Sequence, residues 1–434
     1  MLCAPEKRGH VAIIGGGVIG LSVGCAMMDS DIPMNVTLLA SDLPSTDKPP
    51  PATYASAWAG AHHVSAAATE REERWDRVTF DTLTKMQLSH KGWPWPEGSD
   101  KEKPLLWVRQ LELFAGLPNE TKGARKCLEF YPRHRSSSTE GQYPTAEHDQ
   151  IFCQDKEFAF RNAETFDTLD IDVPNYMRRL LSRFQQLGGR IIREHTQSIA
   201  NAVETCNAHK ASLGAVQGVF VAAGLGSTEL KELQDDHVNT LPIRGQTVIV
   251  HAPWLTLQAP SPGSEEANKE CHSAGVSWSN AKGGRELYII PRSGGLYVVG
   301  GTREPNQRDP LPCQDTADRI LTRALRLCPA LVEPSKRIHR SSAPAIEDVQ
   351  VVQNNVGLRP ARQGGPRLCE SPQTAKLVGR DVKIVLCYGF GGYGFQNSWG
   401  AALEARNLMM KALGEGAVSP GSLRSLEPEK MPPS

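Results

Sequence analysis

The chain has 434 residues, enough for two domains and more than one ordinary hydrophobic core holds. An apolar share of 39% and a charged share of 22% place it with soluble globular proteins. Lys+Arg and Asp+Glu are both 48, so bulk charge gives no support to a nucleic-acid or anionic-membrane partner.

His10–Ile14 is a short apolar run rich in β-branched residues and reads as a buried strand. Gly15-Gly16-Gly17 breaks it, Val18 to about Asp29 reads as a helix, and Asn35–Ala40 is a second buried strand. Together they form a β-α-β unit. Pro44–Pro51 is a proline-rich loop. Residues 70–91 place Trp75, Val78, Leu83 and Met86 near helical spacing. Residues 92–150 hold Pro, Gly and Ser around two short strand candidates, Leu105–Val108 and Leu111–Ala115. Pro174–Leu187 reads as a helix with Tyr176, Leu180, Leu181, Phe184 and Leu187 on one stripe, stopped by Gly188-Gly189. Ile191-Ile192 begins the next strand, and Val216–Ala223 is a buried strand closed by Gly224. Residues 258–285 read as a long polar loop. Strands Leu287–Ile290 and Leu296–Val299, a helix over 315–328, a strand Val382–Tyr388 and a helix Gly400–Leu413 follow. Beyond Gly414 a Pro/Ser-rich tail is expected to be disordered.

Ten cysteines are scattered, without a C-x-x-C pair or a zinc-type cluster, so a metal site is not expected. They read as reduced thiols of an intracellular protein, with Cys25 and Cys387 as packing residues. No convincing secretory signal is seen, and Met431-Pro432-Pro433-Ser434 is not an S-K-L type address.

Gly15-Gly16-Gly17-Val18-Ile19-Gly20 satisfies G-x-G-x-x-G between a strand and a helix, the context that a dinucleotide fingerprint needs. Gly15 permits the turn, Gly17 the approach of a pyrophosphate, and Gly20 close packing of helix on strand. The helix N-terminus offers N–H groups to the phosphates. An acidic residue is expected about twenty positions on; here Ser41 holds that place and Asp42 follows it. FAD and NAD share the fingerprint. The next nucleotide-type strand, Val219–Ala223, comes some 200 residues later, and another lies near the C-terminus. A nucleotide domain built from separated pieces favours FAD.

Six further segments stand out. They are Tyr54-Ala55-Ser56-Ala57-Trp58-Ala59-Gly60-Ala61, Arg244-Gly245-Gln246-Thr247, Tyr288-Ile289-Ile290-Pro291-Arg292, Gly300-Gly301-Thr302, Val356-Gly357-Leu358-Arg359-Pro360-Ala361-Arg362, and Tyr388 to Gly400 with its run Gly389-Phe390-Gly391-Gly392-Tyr393-Gly394-Phe395-Gln396-Asn397. With the glycine turn, and in this order from residue 11 to about 410, they resemble the D-amino-acid oxidase family, which includes D-aspartate oxidase, and above all its fungal members. Residues 92–150 and 258–285 match poorly and look like expanded loops.

The resemblance implies an α/β fold: an FAD-binding Rossmann-like domain assembled from separated segments (1–63, 164–230 and 355–414), a mixed-sheet α+β substrate and interface domain (64–163 and 231–354), and a tail over 415–434. It implies oxidation of the Cα–N bond by hydride transfer to flavin N5, with no side chain acting as acid or base. Arg359 matches the arginine that holds the α-carboxylate, a task suited to a charged, forked donor. Tyr288 matches the tyrosine beside it, while the position of a second tyrosine in some relatives is Gly284 here. Gly391, Gly392 and Gly394, with Tyr393, Phe395 and Gln396, match the loop against flavin and substrate amine. Ala55, Ser56, Gly60 and Ala61 match the loop lining the flavin; Thr196 falls near the adenine, and Ala223 and Gly224 at the strand end beside the cofactor. Arg303 follows Gly300-Gly301-Thr302 as in D-aspartate oxidases, where neutral-substrate fungal oxidases carry tyrosine. It reads either as a cation for a side-chain carboxylate, or as an arginine at a strand end that points to solvent or pairs with Glu304 or Asp309. The expected partners are a D-amino acid, acidic by preference, and oxygen, in a cytoplasmic or peroxisomal protein compatible with a homodimer. Oxidation of neutral D-amino acids, a glycine- or sarcosine-type amine oxidase, and a flavin protein without turnover are the alternatives.

Overall fold

The computed structural model describes residues 9–44, 48–88, 103–138, 140–143, 152–153, 155–209, 213–255, 274–279, 286–338, 344–372, 375–376, 382–415 and 423–426. In chain order the elements are β1 His10–Ile14, α1 Val18–Met28, β2 Asn35–Leu39, α2 Glu70–Leu88, β3 Leu105–Phe114, α3 Pro118–Lys126, β4 Arg135–Ser137, β5 Asn162–Ile171, α4 Val173–Gln186, β6 Arg190–Ile192, α5 Ile199–His209 and β7 Gly218–Val221. There follow β8 Thr240–His251, β9 Ala274–Ser279, β10 Leu287–Arg292, β11 Leu296–Gly300, β12 Glu304–Pro305, α6 Gln314–Leu327, α7 Pro334–Ile338, β13 Val351–Arg362, β14 Arg367–Glu370, β15 Lys383–Tyr388 and α8 Ser398–Ala412.

Six strands form the first sheet in the order β14-β15-β7-β1-β2-β6. All pairings are parallel except that of β14, antiparallel at the edge. A strand with neighbours on both sides and both faces covered carries an unbroken apolar run, which is why every residue of β1 is buried. One face packs on α1, α4 and α8, the other on α5. Gly24 of α1 lies so close to the Phe184 ring of α4 that a Cβ would sit 2.5 Å from it. The Trp399 indole of α8 donates to the Tyr176 hydroxyl at 2.8 Å.

Nine strands form the second sheet in the order β12-β8-β11-β10-β9-β3-β5-β4, with β13 paired along β8. One register row crosses it: Gly300, Tyr288, Ser277, Glu112 and Glu164 are aligned on β11, β10, β9, β3 and β5. Aligned residues share a face of the sheet. A second core lies between this sheet and α6.

Several expectations are corrected. Leu105–Val108 and Leu111–Ala115 are one strand, because the polar residues between them find partners: Arg109 pairs with Asp167 at 2.8 Å and Gln110 donates to Glu112 at 2.7 Å. Residues 274–279 of the expected long loop are β9, held between β3 and β10; Gly284 and most of that stretch lie outside the described residues. In the tail, Leu423 is buried and the Ser425 N–H donates to Asp29 at 3.0 Å, so this piece is packed. The remaining tail lies outside the described residues, apart from Glu415. β5 and β13 pair in the second sheet, so strand pairing changes over a few residues from the expected limits 163/164 and 354/355. Among the described residues no helix is long and apolar enough to cross a membrane.

Candidate active site

A cavity of about 660 Å³ runs from the C-terminal ends of β1, β2 and β7 to the face of the second sheet that carries Tyr288. Ligands of open α/β sheets sit at such strand ends. Gly15 has φ +118°, and a Cβ there would run into the Ala222 carbonyl. Gly17 precedes α1, whose first turn has no acidic residue. The Ser56 hydroxyl accepts from the Val18 N–H at 3.0 Å, and the Tyr54 hydroxyl donates to the Gly16 carbonyl at 2.8 Å. The short 3₁₀ turn Ala55–Trp58 is thereby tied to the glycine turn.

Gly15, Gly17, Val18 and Ile19 line the cavity. Gly20 does not: it faces the Gly15 carbonyl, where a Cβ has no room. Ser41 and Asp42 also line it, with the Ser41 hydroxyl donating to the Asp42 carboxylate at 2.8 Å. Ala55, Ser56, Gly60, Ala61, Thr196, Ala223 and Gly224 lie along the same wall. Ala61 holds φ +55° and Gly224 the same value, a left-handed conformation that is uncommon for a residue with a side chain.

Arg359 reaches the cavity from β13 and Tyr288 from β10. The Arg359 guanidinium donates to the Thr302 carbonyl at 3.1 Å and lies over Gly245, where a Cβ would be 2.5 Å from its Cζ. The Arg359 charge acts on the Tyr288 phenol beside it. Burial pushes the Tyr288 hydroxyl up, partly opposed by the Arg359 charge, so it is a neutral donor. Its phenol lies across Gly300 and Gly301, where a Cβ would sit 2.6 and 2.5 Å from it. Trp58 packs on Gly357 in the same way, at 2.7 Å. The glycines of R-G-Q-T, G-G-T and G-L-R-P thus make room for named side chains.

The loop after β15 closes the site. The Gly391 N–H donates to the Pro360 carbonyl at 2.8 Å, and Gly392 faces the Arg359 stem. Gly391, Gly392, Tyr393, Gly394, Phe395 and Gln396 all line the cavity, with Tyr393 exposed and Phe395 and Gln396 buried. Asn397 precedes α8 and its amide donates to Asp76 at 2.5 Å. The Ser65 hydroxyl also donates to Asp76, at 2.6 Å. Burial pushes the Asp76 carboxyl up to about 7.

Arg303 lines the cavity but is exposed. Pairing with Glu304 or Asp309 is not what the structure shows: Glu304 takes Arg244 at 2.8 Å, and the Asp309 carbonyl accepts from Arg244 at 2.9 Å. Buried Arg244 also donates to the Leu311 carbonyl, and Gln246 exchanges hydrogen bonds with Cys313, so the 303–313 segment is pinned from beneath. Arg308 lines the cavity on that segment and was not foreseen. Nor were buried Glu112 and partly buried His62, both polar residues of the wall. A charged residue inside the apolar run Leu105–Phe114 was the available signal for Glu112.

FAD fits this donor set: glycines without room for side chains, a helix N-terminus free of acid, and an elongated cleft ending at a second sheet. A dinucleotide cradle and an arginine–tyrosine pair meet in one cavity, the arrangement of a cofactor-dependent enzyme. The chain belongs to the FAD dependent oxidoreductase (DAO) family, which matches residues 10–408. It is similar to a D-aspartate oxidase of Cryptococcus neoformans var. grubii, 30% identical over 93% of this chain and 97% of that protein. It is also similar to a D-amino-acid oxidase of Schizosaccharomyces pombe, 26% identical over 92% and 96%. Its fold is similar to that of glycine oxidase from Geobacillus kaustophilus, with a TM-score of 0.63 at 17% identity over 96% and 99% of the two chains.

Proposed function

We propose that the chain oxidises D-amino acids, acidic ones such as D-aspartate by preference, to 2-oxo acids, ammonia and hydrogen peroxide. The observation that carries this is the meeting of Arg359 and Tyr288 with the glycine cradle in one cavity. Bound FAD supplies the acceptor for the α-hydrogen and its electron pair, and oxygen takes the electrons in turn. The protein binds and orients. Arg359 and Tyr288 grip the α-carboxylate, which fixes Cα–H toward the cofactor. Backbone groups of Gly391, Gly392 and Gly394 meet the amine and the flavin, with Tyr393, Phe395 and Gln396 beside them. Gly15, Gly17, Val18 and Ile19 hold the phosphates, Gly20 packs the helix, and Ser41, Asp42, Thr196, Ala223 and Gly224 flank the adenosine half. Ala55, Ser56, Gly60 and Ala61 line the flavin. Segments 1–63, 164–230 and 355–414 serve the cofactor, the last also sending Arg359 to the substrate, and 64–163 with 231–354 serve the substrate.

Arg303 and Arg308, on a pinned segment at the cavity wall, favour a side-chain carboxylate, and the name of the Cryptococcus relative supports that lean. A second reading, oxidation of neutral D-amino acids, is favoured by one observation. Arg303 is exposed, so a neutral substrate does not strand a buried charge there. We further infer an intracellular protein, cytoplasmic or peroxisomal and compatible with a homodimer; the eight described cysteines, all free, support the first part.

The experiment is peroxide release by FAD-loaded protein over a panel of D- and L-amino acids. Turnover of D-aspartate above D-alanine supports the acidic reading. D-alanine and D-methionine without D-aspartate support the neutral one. Flavin binding with no turnover at all refutes both.

A further inference from the structure

Beyond Tyr288 the cavity continues along the second sheet to Glu112. Tyr288, Ser277 and Glu112 are aligned on three adjacent strands, so their side chains share the face that bounds the cavity. Strands lie about 4.8 Å apart, which places Glu112 roughly 10 Å along the sheet from Tyr288. Beside them the wall carries apolar Phe114 and Leu128. Glu112 is 7% exposed, its carboxyl accepts from the Gln110 amide at 2.7 Å, and the same amide donates to the Ser277 hydroxyl at 3.2 Å.

We propose that Glu112 is a specificity residue that receives the terminal cation of a long basic D-amino acid, such as D-lysine, whose α-carboxylate is held by Arg359 and Tyr288. This rests on the D-amino acid oxidase reading and extends it to a second substrate class. A lysine side chain is a flexible four-carbon stem with a compact charge at its end. The apolar wall suits the stem, and a buried carboxylate suits the charge. Among the described residues Glu112 has no ion-pair partner. The charges around it are acidic or already engaged: Glu286 at the start of β10, Asp170 on β5, and Glu164, which is held by Arg125 and His134. The buried Tyr131 hydroxyl is a neutral group hydrogen-bonded to His63 at 2.7 Å. Burial pushes the Glu112 carboxyl up to about 8. Alone it is a neutral acid near pH 7, and an entering ammonium supplies the counter-charge that stabilises its ionised form. Partly buried His62, on the same cavity wall, has an Nδ1 shielded from solvent and without a partner, a second polar atom left for a ligand.

The test compares KM for D-lysine and D-aspartate in FAD-loaded wild type and Glu112→Gln. A hydrogen bond to a charged group contributes about 1.5–3 kcal/mol, so the D-lysine to D-aspartate KM ratio should rise about ten-fold or more. A ratio within two-fold of wild type overturns the proposal, as does a wild type that oxidises D-aspartate or D-alanine but neither D-lysine nor D-arginine. If no D-amino acid is turned over, the underlying function fails and the subsite with it. A second measurement needs no variant. 6-Aminohexanoate and hexanoate, which lack the α-amine, are compared as competitive inhibitors of the wild type. Tighter binding of the amine-bearing acid supports the subsite, and equal or weaker binding overturns it.

Discussion

Gly245→Ala is the sharpest test of the carboxylate clamp. The new Cβ would fall closest to Nη1 of Arg359, with Cζ and Nη2 at 2.5 Å. Ordinary contact begins at about 3.4 Å, so the guanidinium must retreat by about 1 Å or more. The clash falls on the far end of a flexible side chain, so the fold should survive it. Catalysis should not, because displacing a positioning group by about 1 Å can cost on the order of 100-fold, close to 2.7 kcal/mol of barrier. The assay is kcat/KM for the best D-amino acid, alongside flavin absorbance and thermal unfolding of the same preparation. The expected variant is folded and yellow, with kcat/KM down by about 100-fold. A folded, flavin-loaded variant within three-fold of wild type would show that Arg359 does not position the substrate.

Three further outcomes follow from particular residues. Arg303→Ala with Arg308→Ala should raise KM for D-aspartate by roughly five- to ten-fold, as exposed charges are worth about 1 kcal/mol, and leave KM for D-alanine within two-fold; equal effects on both substrates would remove these arginines from specificity. Buried Asp236 accepts from Arg362 at 2.8 Å and from the Tyr388 hydroxyl at 2.7 Å, with Arg367 at 3.1 Å. Burial opposes its ionisation, but the hydrogen bonds from Arg362, Tyr388 and Asn239 and the charge of Arg367 prevail and hold the carboxyl below its usual range. Asp236→Ala strands two arginines beside the strand that carries Arg359 and should cost about 3–5 kcal/mol in denaturant unfolding; a loss under 1 kcal/mol contradicts the reading. Asp76 and Glu112 are both pushed up by burial, to about 7 and about 8. The folded state holds these protons more tightly than the unfolded chain, so the stability they add at acid pH is lost progressively as pH rises from the ordinary carboxyl range, about 4, through 7 to 8. Thermal unfolding should therefore come at a lower temperature at pH 9 than at pH 6, and Asp76→Asn with Glu112→Gln should flatten that dependence; an unchanged slope would place both carboxyls in the ordinary range.

The cofactor half was legible because its physics is local. A buried parallel strand must be apolar throughout, and a glycine turn before a helix has few other uses, so β1, α1 and β2 followed from the sequence. The second sheet hid its strands. β5 carries Glu164, Asp167 and Asp170, all buried, and two of these are satisfied by arginines far away in the chain. No local pattern marks such a strand. The β8–β13 pair was visible only as two motifs, whose glycines proved to be seats for the Arg359 guanidinium and Trp58. For Arg303, sequence gave residue type and neighbourhood but not depth. Exposure removes the desolvation argument against neutral substrates and leaves only attraction for acidic ones. Arg308 became visible as a candidate only once Arg244 and Gln246 were seen to pin its segment to the cavity wall.

The central claim, that this cavity brings a D-amino acid against FAD, is tested most directly by mixing the FAD-loaded protein anaerobically with D-aspartate, and separately with L-aspartate, while following flavin absorbance. The account predicts that the D-isomer bleaches the flavin, that air restores the colour with release of hydrogen peroxide, and that the L-isomer does neither. A flavin that stays oxidised with D-aspartate, D-alanine and D-methionine alike, or that bleaches equally with both isomers, would contradict it.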